Sequence, residues 1–285
     1  MKPQNTQLDP GLYLLATPIG NARDITLRAL DVLASADVIA AEDTRTTRKL
    51  MDIHGIALNG RKLIPYHDHS GGAARAGIVK LIAAGKSVAY ASEAGSPLIA
   101  DPGYALARNL AEGGHYVTAL PGASATLAAL SLSGLPTDRF LFAGFPPAAK
   151  GARATWLAEL LPLPATLVFF ESAKRIQKLL EELCSSGADT RQAAVCRELT
   201  KKFEEVKRGT VAELADWLDE KPIKGEVVFV LDRAGDVQDE GEMEDLLVKA
   251  MADMSMKDAV NAVSQALGLP RRKVYQAALE IGRKE

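Results

Sequence analysis

Cysteine is scarce in this chain: two in 285 residues, Cys184 and Cys196, and they do not form a CxxC pair. A disulfide-stapled scaffold carries more and a zinc ribbon needs paired thiols, so both are excluded and a reduced, cytoplasmic compartment is expected. Aromatic residues make up only 5%, but 47% of the residues are hydrophobic and 25% charged, the balance of an ordinary globular enzyme rather than a disordered or collagenous chain. Excess positive charge is missing as well: 34 Lys and Arg stand against 36 Asp and Glu, a net −2. With no global basic field, any RNA-binding surface must be a local patch. No apolar run reaches transmembrane length, and the opening MKPQNTQLDP lacks the layout of a secretory signal, so no membrane partner is expected. The length suits about two domains.

Two phosphate-binding signatures are also absent. There is no G-x-x-x-x-G-K-[ST], which removes the usual handle for phosphoryl transfer, and no G-x-G-x-x-G, whose glycines let a backbone approach a pyrophosphate. His67-Asp68-His69 looks metal-like but offers two imidazoles with no Cys neighbours, and no metal is expected. His54 and His115 lie near element ends and read as structural or solvent-facing.

What is present is alternation. Short apolar runs at residues 12–16, 38–41, 88–91 and 116–120 alternate with helical patterns at 26–35, 44–53, 73–84, 104–113 and 124–133. This predicts an α/β domain with a parallel sheet over residues 1–134. Residues 135–234 read as a second α/β domain, with helices at 153–161, 172–185 and 210–219 and strands at 166–170, 193–197, 203–208 and 226–231. Strands outnumber crossovers there, so a mixed sheet is expected. The acidic stretch at 233–244 reads as a solvated linker, and residues 245–285 as a small helical extension resembling a helix-turn-helix, with helices at 257–267 and 271–281 around Gly268-Leu269-Pro270.

Three punctuated loops follow strands: Thr17-Pro18-Ile19-Gly20-Asn21, the long Ser92-Glu93-Ala94-Gly95-Ser96-Pro97-Leu98-Ile99-Ala100-Asp101-Pro102-Gly103, and Pro121-Gly122-Ala123-Ser124-Ala125. In an open parallel sheet the loops beyond the strands' carboxyl ends line the ligand crevice, so all three should face one pocket. A lone Pro-Gly pair marks a turn in any α/β protein; their succession after strand upon strand is more specific.

These loops, with Ala41-Glu42-Asp43-Thr44-Arg45, resemble in order and spacing the tetrapyrrole-methylase superfamily of S-adenosylmethionine-dependent methyltransferases. Within it they are similar to the bacterial branch that methylates the ribose 2′-oxygen of a decoding-region cytidine in 16S ribosomal RNA. Further matches are Phe170-Glu171-Ser172, Arg197-Glu198-Leu199-Thr200-Lys201 and Lys224-Gly225-Glu226. Glu93 stands where the family usually has Asp, Ser96 where it has Thr, Ala100 where it has Ser, and Phe170 where it has Tyr. The resemblance implies a cofactor cleft between the domains. Pro18, Ile19 and Gly20 would bound one side, and Ser92, Glu93, Ala94, Gly95 and Ile99 would surround the methionine and ribose portions. Ser124 and Ala125 would lie beneath them, and Phe170, Leu199, Gly225 and Glu226 would border the adenosine. It also implies a homodimer acting on 16S rRNA within the small ribosomal subunit.

Methyl transfer to a ribose hydroxyl rests mostly on positioning, helped by a base or by a cation that favours the alkoxide. Asp43 and Arg45, after the second strand, are the leading catalytic candidates, against the plainer reading that Asp43 or Thr44 caps the next helix. Glu198 and Lys201 are a second pair, near the acceptor or merely a surface ion pair. Candidate phosphate contacts are Arg23, Arg28, Arg48, Lys49, Lys174, Arg175, Lys202 and the cluster Arg271-Arg272-Lys273. Tetrapyrrole and diphthine-type methyltransferases share the fold but favour a glycine-richer first loop than TPIGN. A non-catalytic ribosome-binding factor would show degraded cofactor loops.

Overall fold

The computed structural model describes residues 3–67, 70–100, 103–234, 238–267 and 271–284. Of the features singled out above, Asp68, His69, Asp101, Pro102 and Gly268-Leu269-Pro270 lie outside the described residues, as does the side chain of Lys273.

The first layer runs β1 (Gly11–Leu15), α1 (Leu27–Ser35), β2 (Val38–Ala41), α2 (Thr44–Ile53), β3 (Lys62–Pro65), α3 (Gly71–Ala83), β4 (Ser87–Ala91), α4 (Tyr104–Glu112) and β5 (Val117–Leu120), followed by α5 (Ala125–Ser133). The five strands pair in the order β3-β2-β4-β1-β5, all parallel. Both faces are covered, which is why β2 and β4 are buried at every residue and read as continuous apolar runs. Leu15, Leu33, Ile39 and Met51 pack one face, and Leu12, Ile78, Tyr90 and Leu106 the other. Helix starts follow their caps: the Thr26 hydroxyl accepts from Ala29 N and the Ser124 hydroxyl from Leu127 N.

The second layer runs β6 (Phe140–Gly144), α6 (Lys150–Leu160), β7 (Thr166–Ser172), α7 (Ile176–Ser185), β8 (Gln192–Arg197), β9 (Glu205–Thr210), α8 (Val211–Glu220) and β10 (Glu226–Leu231). Its order is β6-β7-β10-β8-β9, with β6 and β7 parallel and the other pairs antiparallel, the mixed sheet the strand count predicts. α8 opens with a full capping box between Thr210 and Glu213. α5 precedes the change of domain expected at residue 135, yet its Ala129 and Leu130 pack on Val168, Ala194 and Val230 of the second sheet. The chain thus crosses between the layers before α5.

The segment read as a linker needs correction. Within 233–244, residues 238–244 belong to a helix, α9 (Gln238–Asp253), which joins α10 (Met256–Leu267) and α11 (Arg271–Lys284) in a three-helix unit. Met243 and Leu247 on α9 pack against Val260, Val263, Val274 and Ala278, so the acidic stretch carries an apolar stripe that only its tertiary partners reveal. Among the described residues no helix is long and apolar enough to cross a membrane.

Candidate active site

β4, β1 and β5 are neighbours in the first sheet, so the loops beyond their carboxyl ends must meet. They are bonded to one another. Thr17 N donates to Gly95 O at 2.9 Å and Gly95 N to Thr17 O at 3.0 Å, joining the first loop to the second. The Thr17 hydroxyl donates to Ser92 O at 3.2 Å, and the Ser92 hydroxyl to Gly95 O at 2.5 Å. The Ser96 hydroxyl donates to Ala123 O at 3.3 Å, joining the second loop to the third. A Cβ on Gly122 would come within 2.8 Å of the Ala16 Cβ, so only glycine lets the third loop pass the first this closely.

Between these loops and the second sheet lies a cavity of about 370 Å³, within the size range of small-molecule sites. Nine of the expected cofactor residues line it: Ile19, Glu93, Ala94, Gly95, Ile99, Ser124, Ala125, Phe170 and Glu226. Pro18, Gly20 and Ser92 instead line a neighbouring cavity of about 130 Å³, with Glu93 common to both. Thr46, Lys49, Leu50 and Ile53 of α2 form the wall of that second space. Leu199 is buried in the core under α5, and Gly225 packs against Glu198; neither lines the larger cavity.

The sequence reading did not assign a role to Thr126, Phe145, Glu171, Val227 or Val228, all of which line the cavity. Thr126 is 6% exposed and its hydroxyl has no hydrogen-bond partner among the described residues. An unpaired buried hydroxyl costs about 1–3 kcal/mol, so such a group marks a place where a ligand has something to gain. Glu171 is a buried carboxylate held by Ser172 N at 2.8 Å and by the Arg175 guanidinium at 3.2 Å. Phe145 follows Gly144, where the β6–β7 register shifts, and its ring meets Phe170 edge-on at 5.6 Å. Glu171 stood inside the Phe170-Glu171-Ser172 match, and Thr126 and Val227 directly after quoted motifs, with no role attached to them.

Strain concentrates at the same place. Of the five non-glycine residues with positive φ among the described residues, four sit on two loops at the cleft: Leu98 (71°), Ala100 (60°), Glu198 (51°) and Thr200 (63°). Left-handed backbone at residues with side chains is costly and gathers where a ligand site dictates the geometry. The 198–204 loop reaches across to the first domain, where Asn21 N donates to the Thr200 hydroxyl at 3.1 Å. A Cβ on Gly20 would meet Lys201 Cγ at 2.5 Å.

The four catalytic candidates are all held in ion pairs. Asp43 caps α2, accepting from Arg45 N at 2.7 Å and Thr46 N at 3.4 Å, and its carboxylate also binds the Arg45 guanidinium at 2.7 Å. The side-chain hydrogen bonds from Arg45, then the backbone bonds, hold it down at about 2. A carboxylate that acidic is a weak proton acceptor near neutral pH, so the plainer capping reading is realised and a base role is not supported. Arg45 itself projects into solvent, 89% exposed. Lys201 Nζ bridges Glu198 at 3.0 Å and Glu226 at 2.7 Å, while Glu198 Oε1 accepts from Glu226 N at 3.0 Å. Burial pulls the Lys201 ammonium down, but the hydrogen bonds to Glu226 and Glu198 outweigh it and keep it above its ordinary value. Glu198 is held low by the Glu226 backbone N–H and by Lys201. This triad braces the cavity wall at Glu226 and leaves Lys201 protonated.

A two-layered α/β fold with a partly open cleft at the strand ends, free of glycine-rich phosphate loops, is that of a small-ligand-binding protein outside the dinucleotide-binding and P-loop classes. Residues 11–215 match the sequence family of tetrapyrrole (corrin/porphyrin) methylases, and the chain belongs to that family. Residues 237–282 match the RsmI C-terminal HTH domain. Within the family, the chain is 44% identical over 276 residues to a protein of Mesorhizobium japonicum named ribosomal RNA small subunit methyltransferase I, covering 96% of this chain and 93% of that one. It is 38% identical to the Bacillus subtilis protein of the same name, covering 96% of each. Among solved structures, uroporphyrin-III C-methyltransferase of Thermus thermophilus superposes with a TM-score of 0.56 at 23% identity, over 82% of this chain and 98% of that one. A further structure of that Thermus enzyme is a complex with S-adenosylhomocysteine, with a TM-score of 0.54 at 20% identity over 78% and 97%.

Proposed function

We propose that this chain transfers a methyl group from S-adenosylmethionine to the ribose 2′-hydroxyl of a decoding-region cytidine in 16S ribosomal RNA, acting in the cytoplasm as a homodimer on the small ribosomal subunit. The observation that carries the reading is the cavity itself. Among the described residues its wall holds three carboxylates, Glu93, Glu171 and Glu226, and no Lys or Arg; Glu171 and Glu226 are paired from outside the cavity by Arg175 and Lys201, and the acidic lining suits a ligand bearing a sulfonium and an ammonium. The orphaned Thr126 hydroxyl and the strained loops around it are further features a bound ligand would account for.

When bound, the cofactor supplies an electrophilic methyl on sulfur. The protein's part is to hold it. Gly95 and Ala94 let the chain approach closely, Ile19 and Phe170 give apolar walls, and the Ser124 and Ala125 backbone closes the floor. Glu226, fixed by Lys201, borders the adenosine, and Glu93, whose N–H is held by Glu42 at 3.0 Å, stands between the two cavities. The smaller cavity under α2 is the place for the acceptor ribose, with Lys49 on its wall and Arg45 near its mouth to grip phosphates. Asp43 acts as the positioning partner of Arg45. Alignment of oxygen, methyl and sulfur then provides most of the rate.

The experiment is direct. Labelled S-adenosylmethionine is incubated with the protein and under-methylated small subunits, the RNA is digested, and the label is located by nucleoside and position. Label on a cytidine 2′-oxygen is expected. Label on a base, or on a tetrapyrrole offered instead, moves the acceptor elsewhere in the family. Cofactor binding with no transfer leaves a non-catalytic ribosome-binding factor.

A further inference from the structure

The 198–204 loop carries one feature that neither the cofactor cavity nor the ion-pair triad uses. Phe203 is 62% exposed, and the Lys202 ammonium lies 5.6 Å from its ring centre. An exposed phenyl ring in a mobile tail would mean little, but this loop is tightly built. Two successive turns close it, Lys201 N to Glu198 O at 3.0 Å and Glu204 N to Lys201 O at 3.1 Å. Two of its residues have positive φ, and it is bonded to the TPIGN loop through the Thr200 hydroxyl. A strained, doubly anchored loop that spends its rigidity on presenting a ring to solvent calls for a partner.

The charges around the ring define what that partner is. The Glu204 carboxylate, exposed, accepts from Thr200 N at 2.7 Å and closes the turn, Glu205 is paired with Arg197 and Lys221, and Glu198 and Glu226 share Lys201. Lys202 is the exposed cation that lies against the ring, and Arg23, also exposed, lies two residues beyond Asn21 on the adjoining loop. The ring's sequence neighbours Lys201, Lys202 and Glu204 are all charged. A protein-binding surface usually offers a contiguous apolar patch of several hundred Å², whereas a single ring with one ammonium against it, set in a charged turn, matches one nucleobase and its phosphate. The position agrees: Phe203 is two residues, at most about 7.6 Å of chain, from Lys201, whose Nζ touches the carboxylate of cavity-lining Glu226.

We propose that Phe203, with Lys202 beside it, is the platform on which an unstacked base of the RNA substrate, adjacent to the methylated nucleotide, stacks. This rests on the RNA-methyltransferase reading above. Stacking on an aromatic ring is tolerant of base identity, so Phe203 holds the strand in register at the cleft while the cavities select the reacting atoms.

The test uses the full chain, under-methylated small subunits and four variants: F203A, F203L, F203Y and F203W. Alanine and leucine are expected to raise KM for subunits roughly 5- to 100-fold, the range seen when a base-stacking aromatic is removed. Turnover at saturating subunits should stay within twofold, and S-adenosylhomocysteine affinity, measured calorimetrically, should be unchanged. Tyrosine and tryptophan should keep KM at or below that of the unmodified protein. Leucine is the decisive variant, because it keeps apolar bulk but has no π face. A wild-type KM in F203L overturns the proposal. Weakened S-adenosylhomocysteine binding in F203A reassigns the ring to the cofactor lip, and a shift from dimer to monomer in sedimentation reassigns it to a second copy of this chain. If the unmodified protein binds S-adenosylhomocysteine but labels no RNA, the functional reading falls and takes this inference with it; labelling that ignores all four variants sinks the inference alone.

Discussion

Gly225→Ala is the sharpest probe of how the second domain frames the cleft. Gly225 has φ of 99°, and a Cβ there would fall on the Glu198 side chain. Glu198 is not free to move aside, since its Oε1 accepts from both Lys201 Nζ and Glu226 N at 3.0 Å. The backbone conformation alone costs alanine about 1–2 kcal/mol. Displacing Glu198 forfeits bonds to a charged acceptor, worth about 1.5–3 kcal/mol. The single mutant should therefore lose about 2.5–5 kcal/mol, and E198A about 1.5–3 kcal/mol by removing the same bonds. In the double mutant the Glu198 loss is counted once, so G225A/E198A should fall short of the sum of the singles by about 2 kcal/mol. The assay is urea unfolding followed by tryptophan fluorescence, and it reports the right layer because both tryptophans, Trp156 and Trp217, pack on the second-domain core. Strict additivity would refute the claim that this glycine exists to admit Glu198.

Three further outcomes are expected. D43N, which keeps an acceptor oxygen at the cap, should fold as the unmodified chain does, and its pH–rate profile between pH 6 and 8 should match, because Asp43 titrates near 2; its contribution to stability is complete above the ordinary aspartate value of 3.8 and is lost as pH falls toward 2. R153M should destabilise by about 3–5 kcal/mol, since the 3%-exposed Arg153 side chain binds Glu182 at 2.5 and 2.6 Å and its loss strands a nearly buried carboxylate, whereas R153M/E182L should recover part of that in urea unfolding. Cys196, fully buried with its thiol pushed up to about 12 by burial, should resist a thiol reagent at pH 8 until the chain unfolds, with modification of Cys196 in the native protein as the contrary result.

Much of the first layer was legible because its central strands β1, β2 and β4 are buried on both faces and α1, α2 and α5 carry ordinary side-chain caps. β2 and α2 fall at the residues their patterns mark, and β1, β4 and β5 within a residue. β3 was not legible: Lys62–Pro65 is a half-exposed edge strand, four residues long and ended by proline, with neither alternation nor a continuous apolar run. β6 was hidden by the bulge before Gly144, and α9 by the acidic run in its first turns. The post-strand loops were legible through their Pro and Gly punctuation, which is a local property. Thr126, Phe145 and Glu171 were not, because what makes them part of the site is enclosure by a second sheet. The Glu198–Lys201 pair was visible as sequence neighbours, but its third member, Glu226, is 25 residues away and joins only through the β8–β10 pairing.

The electrostatics of the four candidates bear on how such a site accelerates methyl transfer. A general base works best with a pKa near the working pH, yet Asp43 sits near 2, Glu198 is held low, and Lys201 and Arg45 are held high. Each is locked by the partner that perturbs it, and a locked charge is suited to orienting rather than to exchanging protons. The loops around the cleft carry four left-handed non-glycine residues and the close glycine contacts of Gly20, Gly122 and Gly225, all of which raise the cost of any other loop geometry. Sequence and structure therefore converge on rigidity as the site's working property. On the proposed function, such loops would hold sulfur, methyl and acceptor oxygen in line, and a displacement whose reactants are already aligned needs little further assistance from proton transfer.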